Sequence, residues 1–276
     1  MRSSIALVIA IVIANTSWAQ DVADAFFPRQ IVVPERLPAK KNVWVFLLAG
    51  QSNMAGRGMV EPADTIPNPR ILAINKDNEI VVAKEPLHFY EPTRTGLDCG
   101  LSFARTLLKS APRDVYILLV PTAVGGSSIH HWLQDSTWRD VKLLSNAKEK
   151  LALAQKVGVV KGILWHQGES NSNTPDDIAQ HPARLKMLTK TFREIAGDRQ
   201  LPFLMGQLGS FSKNPEQFKR LNQQLNAYSK TDKYSAVIET GDLSHKGDNL
   251  HFNSEGQRKM GERFAQVYAS KFLSVH

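Results

Sequence analysis

From Asn42 onward the chain alternates short apolar runs with longer amphipathic stretches. Asn42 to Ala49 (NVWVFLLA) is almost continuously apolar, the pattern of a strand buried on both faces rather than one with a wet side. Val115 to Val120, Val160 to Trp165, Pro202 to Leu208 and Ser235 to Glu239 read as further strands of this kind. Ile71 to Asn75 and Glu79 to Ala83 flank Lys76-Asp77-Asn78, a spacing that predicts a short hairpin. Between these runs, helical periodicity predicts helices over Leu101 to Ser110, Val141 to Val157, Pro182 to Ala196, Pro215 to Ser229 and Ser254 to Leu273. Buried strands separated by helices call for a mainly parallel sheet covered on both sides, an α/β fold. No repeat, low-complexity tract or linker interrupts residues 42–276, which read as one domain.

The N-terminus follows a different rule. Met1-Arg2-Ser3-Ser4 carries a positive charge, Ile5 to Ala14 is an unbroken apolar run, and Ser17-Trp18-Ala19 places small residues at a cleavage site. Residues 1–19 therefore read as a signal peptide cleaved after Ala19, with export to the periplasm or the exterior. The apolar run rises only about 15 Å as a helix, short of a hydrocarbon core of about 30 Å, so no membrane anchor is expected. Residues 20–41, with Pro28, Pro34 and Pro38, read as an extended lead-in.

Composition narrows the picture a little further. The single cysteine, Cys99, excludes a disulfide-stapled scaffold. The excess of 34 Lys and Arg over 26 Asp and Glu gives a net charge of +8. Such a charge bears on solubility and association, and a nucleic-acid partner is not expected from it.

In a parallel sheet, chemistry belongs in the loops beyond the carboxyl ends of the strands. After the first strand comes Gly50-Gln51-Ser52-Asn53-Met54-Ala55-Gly56. The G-x-S-x-G elbow does not fit, because Met54 stands two residues after Ser52. A serine needs a base, and His251 is the candidate because Asp248 precedes it by three residues in the same loop, a D-x-x-H segment. That spacing lets a carboxylate hold one ring nitrogen while the other meets the serine. The post-strand turn at Gly125-Gly126 can point N–H groups into the crevice for an oxyanion, and Gln167 can add a side-chain amide. His130-His131 has no third ligand at suitable spacing, so no metal or other cofactor is expected. His130 and Trp132 are instead candidates to line the substrate pocket.

Gly50-Gln51-Ser52-Asn53-Met54, Trp165-His166-Gln167-Gly168-Glu169-Ser170-Asn171 and Asp248-Asn249-Leu250-His251 together resemble the sialate O-acetylesterase branch of the SGNH hydrolases, including carbohydrate esterase family 6. The resemblance spans nearly the whole chain after the lead-in. It implies a three-layer α/β/α flavodoxin-like fold, with Ser52 as nucleophile, His251 as base and Asp248 as its orienting carboxylate. It further implies an oxyanion hole built from the Ser52 amide, a glycine amide at Gly125 or Gly126, and the Gln167 side chain. Glu169 is a second carboxylate that can assist the histidine. The expected reaction is release of acetate from an acetylated carbohydrate, of acetylxylan or sialate type. A non-catalytic glycan-binding relative and a short-chain lipid esterase or thioesterase are the alternatives.

Overall fold

A computed structural model describes residues 31–273. The signal segment expected over residues 1–19 and the start of the lead-in lie outside the described residues. The fold centres on β1 (Val43–Gly50), which pairs in parallel with β4 (Tyr116–Pro121) on one side and β7 (Val159–His166) on the other. The sheet continues outward through β2 (Ile71–Ile74) and β3 (Ile80–Val82), and at the other end through β8 (Phe203–Gly206) and β9 (Ser235–Ile238). Its order is β3-β2-β4-β1-β7-β8-β9, and β3 alone runs antiparallel, as the arm of the expected hairpin. The rest of the sheet is parallel. The lead-in borders this edge, where Val32 O accepts the Val82 N–H.

Side-chain alternation along β1 divides the core into two layers. Val43, Val45 and Leu47 point to one face, and Phe46 and Leu48 to the other. The first face packs on α3 (Ile129–Leu133), α4 (Leu143–Val157) and α5 (Pro175–Ala196), with α6 (Pro215–Thr231) beyond. The second packs on α2 (Gly100–Leu107) and α7 (Ser254–Tyr268). A very short α1 (Ser52–Ala55) follows β1 directly. The result is the three-layer α/β/α arrangement that the apolar runs predict.

Two departures have local causes. The helix expected from Pro182 begins at Pro175, where the Thr174 side chain caps the Asp177 N–H, and it runs through Pro182 without stopping. A proline in that position deprives the Ile178 carbonyl of its intrahelical donor. Gln224 of α6 supplies a replacement, with Nε2 donating to Ile178 O at 2.9 Å. The helix expected from Val141 starts at Leu143, because Val141–Lys142 forms β6, the second arm of a small hairpin with β5 (Thr137–Trp138). Among the described residues no helix is long and apolar enough to cross a membrane.

Candidate active site

Three adjacent strands, β4, β1 and β7, end at one place, and their loops converge there. Close approach of β1 and β7 is possible because residue 50 is glycine: at φ +139° a Cβ there would lie 2.1 Å from the His166 carbonyl oxygen. The chain then turns so that Ser52 opens α1. Its N–H belongs to the first turn of a helix and has no intrahelical acceptor.

The loop after β9 carries the other two groups. It is pinned by Lys246 N–H donating to His251 O at 2.9 Å and Asn253 N–H to Ser244 O at 3.0 Å. Within it, Asp248 Oδ1 accepts the N–H groups of Leu250 (3.0 Å) and His251 (2.8 Å). Asp248 Oδ2 meets His251 Nδ1 at 2.7 Å, and His251 Nε2 meets Ser52 Oγ at 3.0 Å. Ser52, His251 and Asp248 are thereby brought into one hydrogen-bonded chain. With the carboxylate at Nδ1, the neutral imidazole carries its proton there and leaves Nε2 free to accept the Ser52 hydroxyl proton. Partial burial pushes the Asp248 carboxyl up, but the His251 N–H, the imidazole and the Leu250 N–H outweigh it and hold the group down to about 2. It is ionised at any ordinary pH.

Glu169 is placed differently. Its Oε1 accepts Asn53 Nδ2 at 2.6 Å and lies 3.8 Å from His166 Nδ1. Its reach to His251 is indirect. Asn53 Nδ2 also donates to Leu250 O (3.1 Å) and Asn53 Oδ1 accepts Phe252 N–H (3.1 Å), so one amide grips the backbone on both sides of His251. Asn53 thus joins Glu169 to the histidine loop, and although it stands inside the Gly50 to Met54 motif, its role is not legible there.

The expected oxyanion donors are sorted by their partners. The Gly125 N–H is already committed, donating to Glu91 Oε2 at 2.6 Å, which corrects its candidacy. Gln167 is also committed: Nε2 donates to Asn171 Oδ1 (2.6 Å) and Gln51 Oε1 (3.1 Å). Those two oxygens cannot be exchanged for their amide nitrogens, because they also accept the Ile129 and Ser170 N–H groups. In this arrangement Gln167 braces the site loops instead of facing a substrate. The main-chain N–H groups of Ser52 and Gly126 remain uncommitted among the described residues.

Trp132, expected at a sugar pocket, is fully buried against Trp165 and Phe192, with Nε1 on Ser127 Oγ. It belongs to the core. His130 does line a cavity of about 490 Å³ beside Gly126, together with Ser128, His131, Ser170 and Arg184. A second His–Asp pair, His88 Nδ1 and Asp98 Oδ2 at 2.7 Å, is wholly sealed from solvent and meets no serine. Among the described residues no trio of His, Cys, Asp or Glu side chains is grouped to hold a metal.

The chain has relatives among known proteins. A probable carbohydrate esterase of Arabidopsis thaliana is 29% identical over 247 residues, covering 83% of this chain and 91% of its own. An X-ray structure of that Arabidopsis protein superimposes with a TM-score of 0.75 at 27% identity, over 84% of this chain and 99% of its own. The fold is shared with NanS (TM-score 0.70, 18% identity, 87% and 100% coverage). It is shared also with a carbohydrate acetylesterase from Xanthomonas citri (TM-score 0.65, 19% identity, 85% and 57% coverage). The sequence profile described as "Carbohydrate esterase, sialic acid-specific acetylesterase" matches residues 42–270, and the chain belongs to that family of ester hydrolases.

Proposed function

We propose that the protein is an exported carbohydrate O-acetylesterase that works through a Ser-His-Asp triad and an acetyl-enzyme. The observation that carries this reading is the continuous chain from Ser52 Oγ through His251 (3.0 Å) to Asp248 (2.7 Å) beyond the carboxyl ends of the central strands. Ser52 Oγ attacks the acetyl carbonyl carbon while His251 Nε2 takes its proton, and the Asp248 carboxylate stabilises the imidazolium. The N–H groups of Ser52 and Gly126 receive the developing oxyanion. His251 then protonates the departing sugar oxygen, leaving the acetyl group on Ser52. Water repeats the sequence and releases acetate.

The substrate side of the reading rests on the family and on the polarity of the cavity beside Gly126. Its lining of Ser128, His130, His131, Ser170, Asn173 and Asp177 offers hydrogen bonds to a hydroxyl-rich sugar and no apolar track for a long acyl chain. A lipid esterase on the same fold would need the reverse.

The test is hydrolysis of p-nitrophenyl acetate, and acetate release from acetylated xylan, a 9-O-acetyl sialoside and acetylated pectin. Ser52→Ala and His251→Ala are each expected to lower kcat by at least about 10³-fold while the fold persists. Full activity in either variant overturns the triad, and sugar binding without turnover in the unaltered protein identifies a non-catalytic binder instead.

A further inference from the structure

The hairpin β5–β6 is too small to be a structural layer: Thr137–Trp138 pairs with Val141–Lys142, and its strands join no other. Its two turn residues, Arg139 and Asp140, sit at φ +48° and +63°, and Trp138 pairs with Val141 around them. That is a hairpin turn which favours Asn, Asp and Gly, and it disfavours the arginine at its first position. What this disfavoured turn delivers is a pair of donors onto one carbonyl. Trp138 Nε1 donates to Gly125 O at 3.0 Å and Arg139 Nε to the same oxygen at 2.9 Å.

Gly125 O belongs to the peptide whose other end is the Gly126 N–H. Because that peptide is planar and trans, its N–H points opposite its carbonyl. Fixing the carbonyl with two donors therefore fixes the direction of the N–H. One of the donors is cationic, and a carbonyl so engaged polarises its amide and strengthens the N–H as a donor in turn.

The neighbouring groups are held with equal care. Glu91 Oε2 accepts both Gly125 N–H and Arg57 Nη2 at 2.6 Å, and Arg139 Nε lies 3.5 Å from Glu91 Oε1. The Gly126 carbonyl is held by Ser170 Oγ at 3.1 Å. The ion pair lies so close to residue 125 that a Cβ there would come within 2.3 Å of both Arg57 Nη2 and Glu91 Oε2. His131 stacks on the Trp138 ring at 4.4 Å and steadies it. Among the described residues the Gly126 N–H has no partner and is the open end of a clamped peptide.

We infer that Trp138 and Arg139 are positioning residues for the oxyanion hole, the β5–β6 hairpin serving to aim and polarise the Gly126 N–H. The inference rests on the esterase reading of Ser52. It predicts that loss of either donor weakens binding of the tetrahedral anion and leaves ester binding nearly unchanged.

Trp138→Phe keeps the ring against His131 and deletes only the N–H, while Arg139→Met keeps the apolar stem and deletes the guanidinium. In the full-length protein, with the neutral substrate p-nitrophenyl acetate, each is expected to lower kcat about 10- to 100-fold, with KM changed by less than about twofold. Affinity for a boronic acid that forms a tetrahedral anion on Ser52 should fall by the same factor as kcat, which a general loosening of the fold would not match. Retention of kcat and boronate affinity in both variants overturns the inference while leaving the esterase reading intact. A rise in KM confined to acidic substrates also overturns it, and makes Arg139 a substrate contact. If Ser52→Ala hydrolyses the ester as fast as the unaltered protein, the underlying reading fails first, and that outcome is distinct from both.

Discussion

Replacing Asp248 by asparagine inverts the tautomer of His251, and the hydrogen bonds of the loop dictate how. Asp248 Oδ1 accepts two main-chain N–H groups, from Leu250 at 3.0 Å and His251 at 2.8 Å. An asparagine must keep its carbonyl oxygen there, since its NH₂ would face two donors. Its NH₂ then occupies the place of Oδ2, 2.7 Å from His251 Nδ1, and presents a proton to that nitrogen. Nδ1 must be bare, so Nε2 carries the hydrogen and faces Ser52 as a donor, unable to take its proton. The charge that stabilised the imidazolium is lost as well. Together these should lower kcat by about 10³- to 10⁴-fold, roughly 4 to 5.5 kcal/mol of activation free energy. Stability should barely move. The carboxylate is 36% exposed, so the nominal cost of the drop from 3.8 to about 2 shrinks through solvent screening to under about 1 kcal/mol. That corresponds to a melting shift below about 4 °C. Glu169→Gln supplies the contrast: Oε1 still accepts Asn53 Nδ2, and a charge-assisted hydrogen bond becomes a neutral one at a cost of roughly 1 kcal/mol. Its kcat should fall by less than about tenfold, that cost being worth under a decade of rate. Steady-state kinetics on p-nitrophenyl acetate with parallel melting curves decide the matter. A Glu169→Gln variant as inactive as Asp248→Asn, or an Asp248→Asn variant near full activity, refutes the reasoning.

Three further outcomes are expected. Asn53→Ala strips partners from two buried groups, Glu169 Oε1 and the Phe252 N–H. At about 1–3 kcal/mol for each it should lower the melting temperature by roughly 5–15 °C and depress kcat with it. Gln224→Leu removes the donor on Ile178 O and should cost about 1–3 kcal/mol in urea unfolding; made on a Pro182→Ala background, where the helix regains its own N–H, that cost should largely vanish. His181 is fully buried, and burial pushes its imidazole down to about 4 despite the nearby Gln224 side chain. The unfolded chain therefore binds a proton that the folded one refuses between pH 6.5 and about 4. Stability contributed by this site is complete above pH 6.5, is lost as pH falls, and stops declining below about 4, for a total of roughly 3 kcal/mol that His181→Leu should abolish in unfolding titrations.

The sheet was legible because its central strands are buried on both faces over most of their length and are correspondingly apolar, from Val43 to Gly50 and from Gly162 to Trp165. What escaped the sequence pattern depends on partners far along the chain. Pro182 reads as a helix start, and only Gln224, 46 residues from Ile178, allows the helix to pass through it. The two-residue strands of the β5–β6 hairpin are shorter than any periodicity can register. The same division holds in the site. Asp248 and His251 lie three residues apart and meet through a local turn, so their pairing is written in the spacing. Gly125 and Gly126 are indistinguishable by type or neighbourhood. They differ because one N–H finds Glu91, 34 residues earlier in a stretch with no helical or strand pattern.

The site's carboxylates show why residue type alone assigns no role. Asp248, Glu169 and Glu91 each hold a different part of one machine, and what distinguishes them is the group each one holds. Asp248 is partly exposed, stays ionised and is bonded to an imidazole, so in the proposed reaction its fixed charge would stabilise the proton that His251 takes up. Glu169 is buried and holds a side-chain amide, so its influence passes through Asn53 to the backbone around the histidine. Glu91 is buried against Arg57, and although burial pushes its carboxyl up, the guanidinium and the Gly125 N–H hold it below the usual range. It is a fixed anion that takes up the Gly125 N–H, so of the two glycines only Gly126 is left as a donor in the proposed oxyanion hole. The direction of that N–H is set in turn by Trp138 and Arg139 on the Gly125 carbonyl, so the proposed hole offers one glycine donor in one orientation.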